Sequence, residues 1–155
     1  MGKPKVVVAE AIAPAGIAAM NRDCDVDVAV GMERTELLAR VADAAGLIVR
    51  SATQVDAEMI AAAPHLQVIG RAGIGVDNID IDAATRAGVL VVNAPNANTI
   101  SAAEHTMALL LAQARRVAAA DASLRSGLWE RKRFNGVELH GKTLGVVGLG
   151  RIGTL

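Results

Sequence analysis

Aromatic residues are almost missing from this chain, whose 155 residues include one Trp, one Phe and no Tyr. The core must therefore come from small and branched aliphatics. The hydrophobic share of 52% supplies these, and with 21% charged residues it excludes a disordered chain. Net charge is also lacking. Sixteen Lys and Arg balance sixteen Asp and Glu, so no global field draws the chain to nucleic acid or an anionic membrane, and no partner of either kind is expected. Cysteine is reduced to Cys24, which excludes an intramolecular disulfide and a cysteine metal cluster and suits a reducing, cytoplasmic setting. No apolar run approaches the ~20 residues that span a bilayer. The opening Lys3-Pro4-Lys5 and Val6–Ala9 imitate a signal peptide, but Glu10 interrupts the run. There is no internal repeat, and no low-complexity tract beyond an alanine bias. The length allows one domain, or one domain and part of a second.

What is present is an alternation. β-Branched runs at 5–9, 26–30, 46–50, 67–71 and 89–92 predict strands, most of them near-continuously apolar as strands covered on both faces must be. Alanine-rich segments at about 14–21, 33–44, 56–63 and 80–87 predict the helices between them. Thr53 and Asp56 suggest a capping box, Pro64 follows the third helix, and Gly46 and Gly88 suit positions just past helix ends. Five strands alternating with helices predict a doubly wound parallel α/β sheet, with its strand-to-helix loops along one edge. Turn formers at 93–99 break the composition. Ser101 and Glu104 then form a second capping box, predicting a helix to about Ser126 whose stretch 107–112 is apolar nearly all round. A polar loop from Gly127 to Lys142 leads to an expected strand at 143–147.

That strand would run into Gly148-Leu149-Gly150-Arg151-Ile152-Gly153, a G-x-G-x-x-G in the strand-to-helix setting that a dinucleotide fingerprint requires. Gly148 would permit the tight turn, Gly150 the approach of a pyrophosphate, and Gly153 close packing of helix on strand. The acidic ribose partner expected about 20 residues on is missing, so for this chain alone a glycine-rich turn without ligand is the stronger reading. A second constellation lies at carboxyl ends of strands: Arg50-Ser51-Ala52-Thr53, Arg71-Ala72-Gly73-Ile74-Gly75, and Asn93 to Asn98. Two guanidiniums and a glycine loop make an anion site there. From spacing alone, arginines merely paired with Asp56 or Asp77 explain them equally well. Trp129 and Phe134 sit in a charged loop, where an interface anchor is the stronger reading than a Trp folded back on its own chain. His65, His105 and His140 lie at a helix end, in a helix's first turn and in a polar loop. None is expected to be catalytic, and no metal site is expected.

Taken in order, Arg50–Thr53, Arg71–Asp80, Asn93–Asn96, Ser101–Glu104, Trp129–Phe134 and Gly141–Gly153 resemble the D-2-hydroxyacid dehydrogenase family, on its phosphoglycerate-acting branch. The resemblance covers nearly the whole chain. It implies a flavodoxin-like substrate domain at 1–98 and the truncated start of a Rossmann NAD-binding domain at 99–155, with the active site in the cleft between domains. It implies NAD as cofactor and oxidation of D-3-phosphoglycerate to 3-phosphohydroxypyruvate, the opening step of serine biosynthesis. Substrate contacts are implied for Arg50, Ser51, Arg71, Gly73, Asn98 and Arg131. Cofactor contacts are implied for Ile74, Gly148, Gly150, Arg151, Ile152 and Gly153. Several members carry Thr where Ile74 stands, so no side-chain hydrogen bond to cofactor is expected there. A homodimer or homotetramer through residues 101–134 is implied, with Arg131 reaching the partner's active site. The family's catalytic Arg, Glu and His are expected beyond residue 155, so this chain alone is expected to be inactive.

Two alternatives within reach are another D-2-hydroxyacid, of the glyoxylate, hydroxypyruvate or lactate type, and a non-catalytic binding or dimerisation fragment. A phospho-receiver module also has five alternating strands. It needs an acidic cluster after strand one and an Asp after strand three, whereas Glu10 stands alone and the third strand ends in Arg50.

Overall fold

A computed structural model describes residues 2–155, which divide into two compact units, Met1–Ala97 and Asn98–Leu155. The first holds the expected parallel sheet. Its strands are β1 (Lys5–Val8), β2 (Asp25–Val28), β3 (Gly46–Val49), β4 (Val68–Arg71) and β5 (Leu90–Asn93), in the order β2-β1-β3-β4-β5. All four pairings are parallel, and the order is that of a flavodoxin-like sheet. Helices α1 (Pro14–Met20), α2 (Arg34–Val41), α3 (Ala57–Ala61) and α4 (Ile81–Arg86) form the crossovers.

Successive strand side chains point to opposite faces, so burial of Val6, Val7 and Val8 together means that β1 is covered on both. Leu47, Val49 and Ile69 from the neighbouring strands are fully buried with Val41, Met59 and Ala84 from the helices. This is the aliphatic core that the lack of aromatics required. The outer strands β2 and β5 are largely exposed.

Local signals fared unevenly. Gly88 sits just past α4 with φ +71°, a conformation that glycine adopts without strain. Gly46 instead opens β3. Asp56 is not the third residue of a box begun by Thr53. It is itself the N-cap of α3, accepting from the Met59 N–H at 3.0 Å. Asp80 caps α4 in the same way through Ala83.

The second unit departs further from expectation. Its first helix, α5 (Thr99–Ala114), begins two residues before Ser101, with Asn98 at the cap position, so the Ser101–Glu104 box does not form. The single long helix is in fact two. Arg116 adopts left-handed φ +54°, and α6 (Val117–Arg125) follows. The break leaves the Ala114 carbonyl without a helical partner, and the Val137 N–H donates to it at 2.8 Å. α6 closes with Gly127 at φ +82° and a paired set of bonds, Gly127 to Leu124 and Leu128 to Ser123, which is a Schellman end. Residues 143–147, expected as a strand, form no ladder. A strand needs neighbours to hold its main-chain groups, and the four ladders among the described residues all lie in the first unit. Leu144, Val146 and Val147 are exposed.

Candidate functional site

The carboxyl edge of the sheet in the first unit gathers the strand-end residues around Arg50 and Arg71. The β3–β4 register sets Val49 beside Arg71, so the loops that leave these strands, Arg50–Thr53 and Ala72–Asp77, run side by side. A further bridge between Val55 and Ile79 joins them again beyond the sheet. Arg50 and Ser51 are exposed, and the Arg50 guanidinium reaches only the Ala11 carbonyl, at 3.4 Å. Arg71 is different, since its side chain is only 11% exposed. Its Nε donates to Asn78 Oδ1 at 3.2 Å, and its guanidinium lies so close to Gly73 that a side chain there would collide with it. A larger residue at 73 would have to displace the tip of the Arg71 side chain.

Of the two alternative ion pairs only the one between Arg71 and Asp77 forms, and it is a long one. Asp56 belongs to Arg34, which donates to it at 2.6 and 2.8 Å. Asp77 approaches Arg71 only to 3.9 Å and is itself well exposed, a geometry worth little in water. Ile74 is held by its main chain, its carbonyl accepting from Asn93 Nδ2 at 2.7 Å. Asn98 and Arg131 fall in the second unit, Asn98 at the start of α5 and Arg131 in a short 3-10 turn, Arg131–Phe134.

Two residues of this edge carried no signal in the sequence. Asn78, 3% exposed, donates through Nδ2 to the carbonyls of Arg50 at 2.9 Å and Thr53 at 2.6 Å. Glu10 accepts from the N–H groups of Arg50 at 2.8 Å, Ala52 at 3.2 Å and Thr53 at 2.9 Å. Burial by itself would push the Glu10 carboxyl up, but the donors from Thr53, Arg50 and Ala52 together outweigh it and hold its pKa below the usual carboxylate value.

In the second unit the glycine-rich turn is folded. Gly148 has φ +100°, and Gly153 lies against the Gly148 carbonyl so closely that no side chain could stand there. The position of a side chain on Gly150 is open. Past it the chain makes one helical turn, with the Thr154 N–H donating to the Gly150 carbonyl at 3.1 Å. This single turn is not continued into a helix within the described residues. Arg151 and Ile152 lie within it.

The same unit presents Trp129, 75% exposed. Behind it Glu130 is fixed by Ser123 at 3.1 Å and Arg133 at 3.0 Å, and Arg133 also lies over the Phe134 ring. Among the described residues no group of His, Cys, Asp and Glu could hold a metal, and no helix is long and apolar enough to cross a membrane.

With this geometry in view, the comparison with known proteins is direct. Residues 6–138 match the family described as D-isomer specific 2-hydroxyacid dehydrogenase, catalytic domain, and the chain belongs to that family. The chain is 56% identical over all 155 residues to a D-3-phosphoglycerate dehydrogenase of Mycobacterium leprae, covering 29% of that protein. It is 56% identical over 150 residues to one of Archaeoglobus fulgidus, 96% of this chain and 28% of the relative. Among solved structures, a Thermus thermophilus protein superposes with a TM-score of 0.88 at 38% identity, covering 97% of this chain and 50% of its own. The NAD+-bound 3-phosphoglycerate dehydrogenase of Entamoeba histolytica gives 0.77 at 29% identity, with 99% and 49% covered. The chain therefore spans under a third of these curated relatives and about half of these solved ones. The family is one of dehydrogenases of D-isomer 2-hydroxyacids, and the solved relatives include enzymes bound to NAD+ and to NADP.

Proposed function

We propose that this chain supplies the substrate domain and the first part of the nucleotide domain of an NAD-dependent D-3-phosphoglycerate dehydrogenase, oxidising C2 of D-3-phosphoglycerate to 3-phosphohydroxypyruvate for serine biosynthesis in the cytoplasm. The observation that carries the reading is the carboxyl edge of the sheet, where Arg50 and Arg71 stand at the ends of adjacent strands and a glycine loop lies against Arg71. Two guanidiniums suit a substrate bearing both carboxylate and phosphate. Arg50, Ser51, Arg71 and Gly73 of the first unit would bind it, and Asn98 and Arg131 are separate substrate-binding candidates in the second unit. Identity of 56% to D-3-phosphoglycerate dehydrogenases supports the substrate choice.

Gly148, Gly150 and Gly153 are shaped to receive the pyrophosphate of a dinucleotide, with Arg151 and Ile152 against it and Ile74 near the nicotinamide. The dinucleotide supplies the hydride acceptor. NAD is preferred because the E. histolytica relative is NAD+-bound. The catalytic Arg, Glu and His would come from the remainder of a family-length chain. Self-association through 101–134 would cover Met107, Leu109, Leu111 and Trp129, all exposed here. A second reading, glyoxylate or hydroxypyruvate reduction, is favoured by the Sinorhizobium meliloti NADPH-dependent reductase at 28% identity.

Arg71→Ala, made in a family-length chain, separates the site reading from a surface-charge role. Loss of a charge-assisted contact costs about 1.5–3 kcal/mol, so KM for D-3-phosphoglycerate should rise roughly ten- to a hundred-fold while KM for NAD holds. Unchanged constants for the hydroxyacid would overturn the assignment of Arg71.

A further inference from the structure

The Arg50–Thr53 loop is held by its main chain from two sides. Its N–H groups at Arg50, Ala52 and Thr53 all donate to the single carboxylate of Glu10, 40 or more residues earlier in the chain. Its carbonyls at Arg50 and Thr53 both accept from the amide of Asn78. Asn78 is buried, and its main-chain carbonyl is tied to the same stretch by the Val55 N–H at 2.8 Å. Its remaining side-chain atom, Oδ1, accepts from Arg71. One buried amide thus joins the segments that carry both arginines. Core packing asks for none of this polarity. This pattern of donors and acceptors holds the loop by main-chain groups on both of its sides.

We propose that Glu10 and Asn78 are positioning residues. Glu10 fixes the N–H side of the Arg50–Thr53 loop, and Asn78 fixes its carbonyl side together with the Arg71 guanidinium. The two arginines are thereby set before substrate arrives, and binding spends little on ordering them. The inference rests on the reading of this edge as the hydroxyacid site. Glu10 and Asn78 need not touch the substrate themselves.

The test uses a family-length chain and D-3-phosphoglycerate. Asn78→Asp has the same shape but replaces the donating NH2 by an oxygen facing two carbonyls. Glu10→Gln is likewise isosteric and gives up the full charge-assisted acceptor. Each should raise KM for D-3-phosphoglycerate about tenfold, with KM for NAD moved less than about twofold. A merely structural role would lower the active fraction, so that kcat falls while KM stays, and that pattern overturns the proposal. If the wild type turns over no D-3-phosphoglycerate, the substrate reading has failed and the clamp is judged by itself. Amide exchange on the 155-residue chain then decides, since Arg50, Ala52 and Thr53 should exchange at least about tenfold faster in Glu10→Gln than in wild type. Equal exchange at all three sites would refute the clamp. Should Asn78→Asp fail to fold, Glu10→Gln carries both measurements.

Discussion

Asp56 gives the sharpest stability test, because one carboxylate does two jobs that substitution can separate. It caps α3 through Met59, and it pairs with Arg34, whose side chain is 40% exposed against 50% for Asp56. Losing an N-cap costs about 1 kcal/mol, and an ion pair this exposed adds only about 0.5 kcal/mol. Asp56→Ala should therefore destabilise the first unit by about 1.5 kcal/mol, whereas Asp56→Asn, which keeps the capping oxygen, should cost only about 0.5 kcal/mol. Urea unfolding followed by circular dichroism reads the difference. With a slope near ~1.5 kcal/mol per molar, the alanine midpoint falls by about 1 M and the asparagine midpoint by a third of that. The pH dependence has a definite sign. The hydrogen bond from Arg34, then that from the Met59 N–H, lowers the Asp56 pKa below its ordinary 3.8. Its stabilisation is thus present above that value and lost as pH falls through the lower folded one. The gap between wild type and Asp56→Ala should close as pH drops into that range. An asparagine variant as unstable as the alanine one would refute the cap and leave only the ion pair.

Two further outcomes are expected. Trp129→Ala should lower the self-associated fraction in sedimentation at micromolar concentration, and a wild-type chain that stays monomeric throughout that range would defeat both the interface and any role for Arg131 in a partner's site. A preparation verified to end at Leu155 should show no NAD-dependent oxidation of D-3-phosphoglycerate, because its three histidines, His65, His105 and His140, are all exposed surface side chains; measurable turnover would show that a proton acceptor within the chain has been overlooked.

The sheet was legible because strands buried on both faces must be apolar at every position, and Val6–Val8 and Gly46–Val49 stand out from alanine-rich helices. Capping was harder. Thr53-x-x-Asp56 can be read with either residue as the cap, and only the backbone at Asp56 decides. The break between α5 and α6 was invisible, since Gln113 to Val117 contains no glycine or proline. It depends on Val137, twenty residues onward, meeting a carbonyl. At the site, Arg50 and Arg71 were found because a charge at the end of an apolar run is conspicuous. Glu10 and Asn78 were missed for the opposite reason. Their partners are mostly main-chain groups 25 to 43 residues distant, and a backbone amide has no letter in the sequence.

Glu10 and Asn78 grip the Arg50–Thr53 loop mainly by atoms that every amino acid possesses. The shape of the loop is thereby uncoupled from the side chains it displays at 50 and 51. Evolution, or an engineer, can exchange those two letters and retune which acid is recognised while the scaffold beneath keeps its form. A family that serves many hydroxyacids from one architecture needs this division of labour between grip and display.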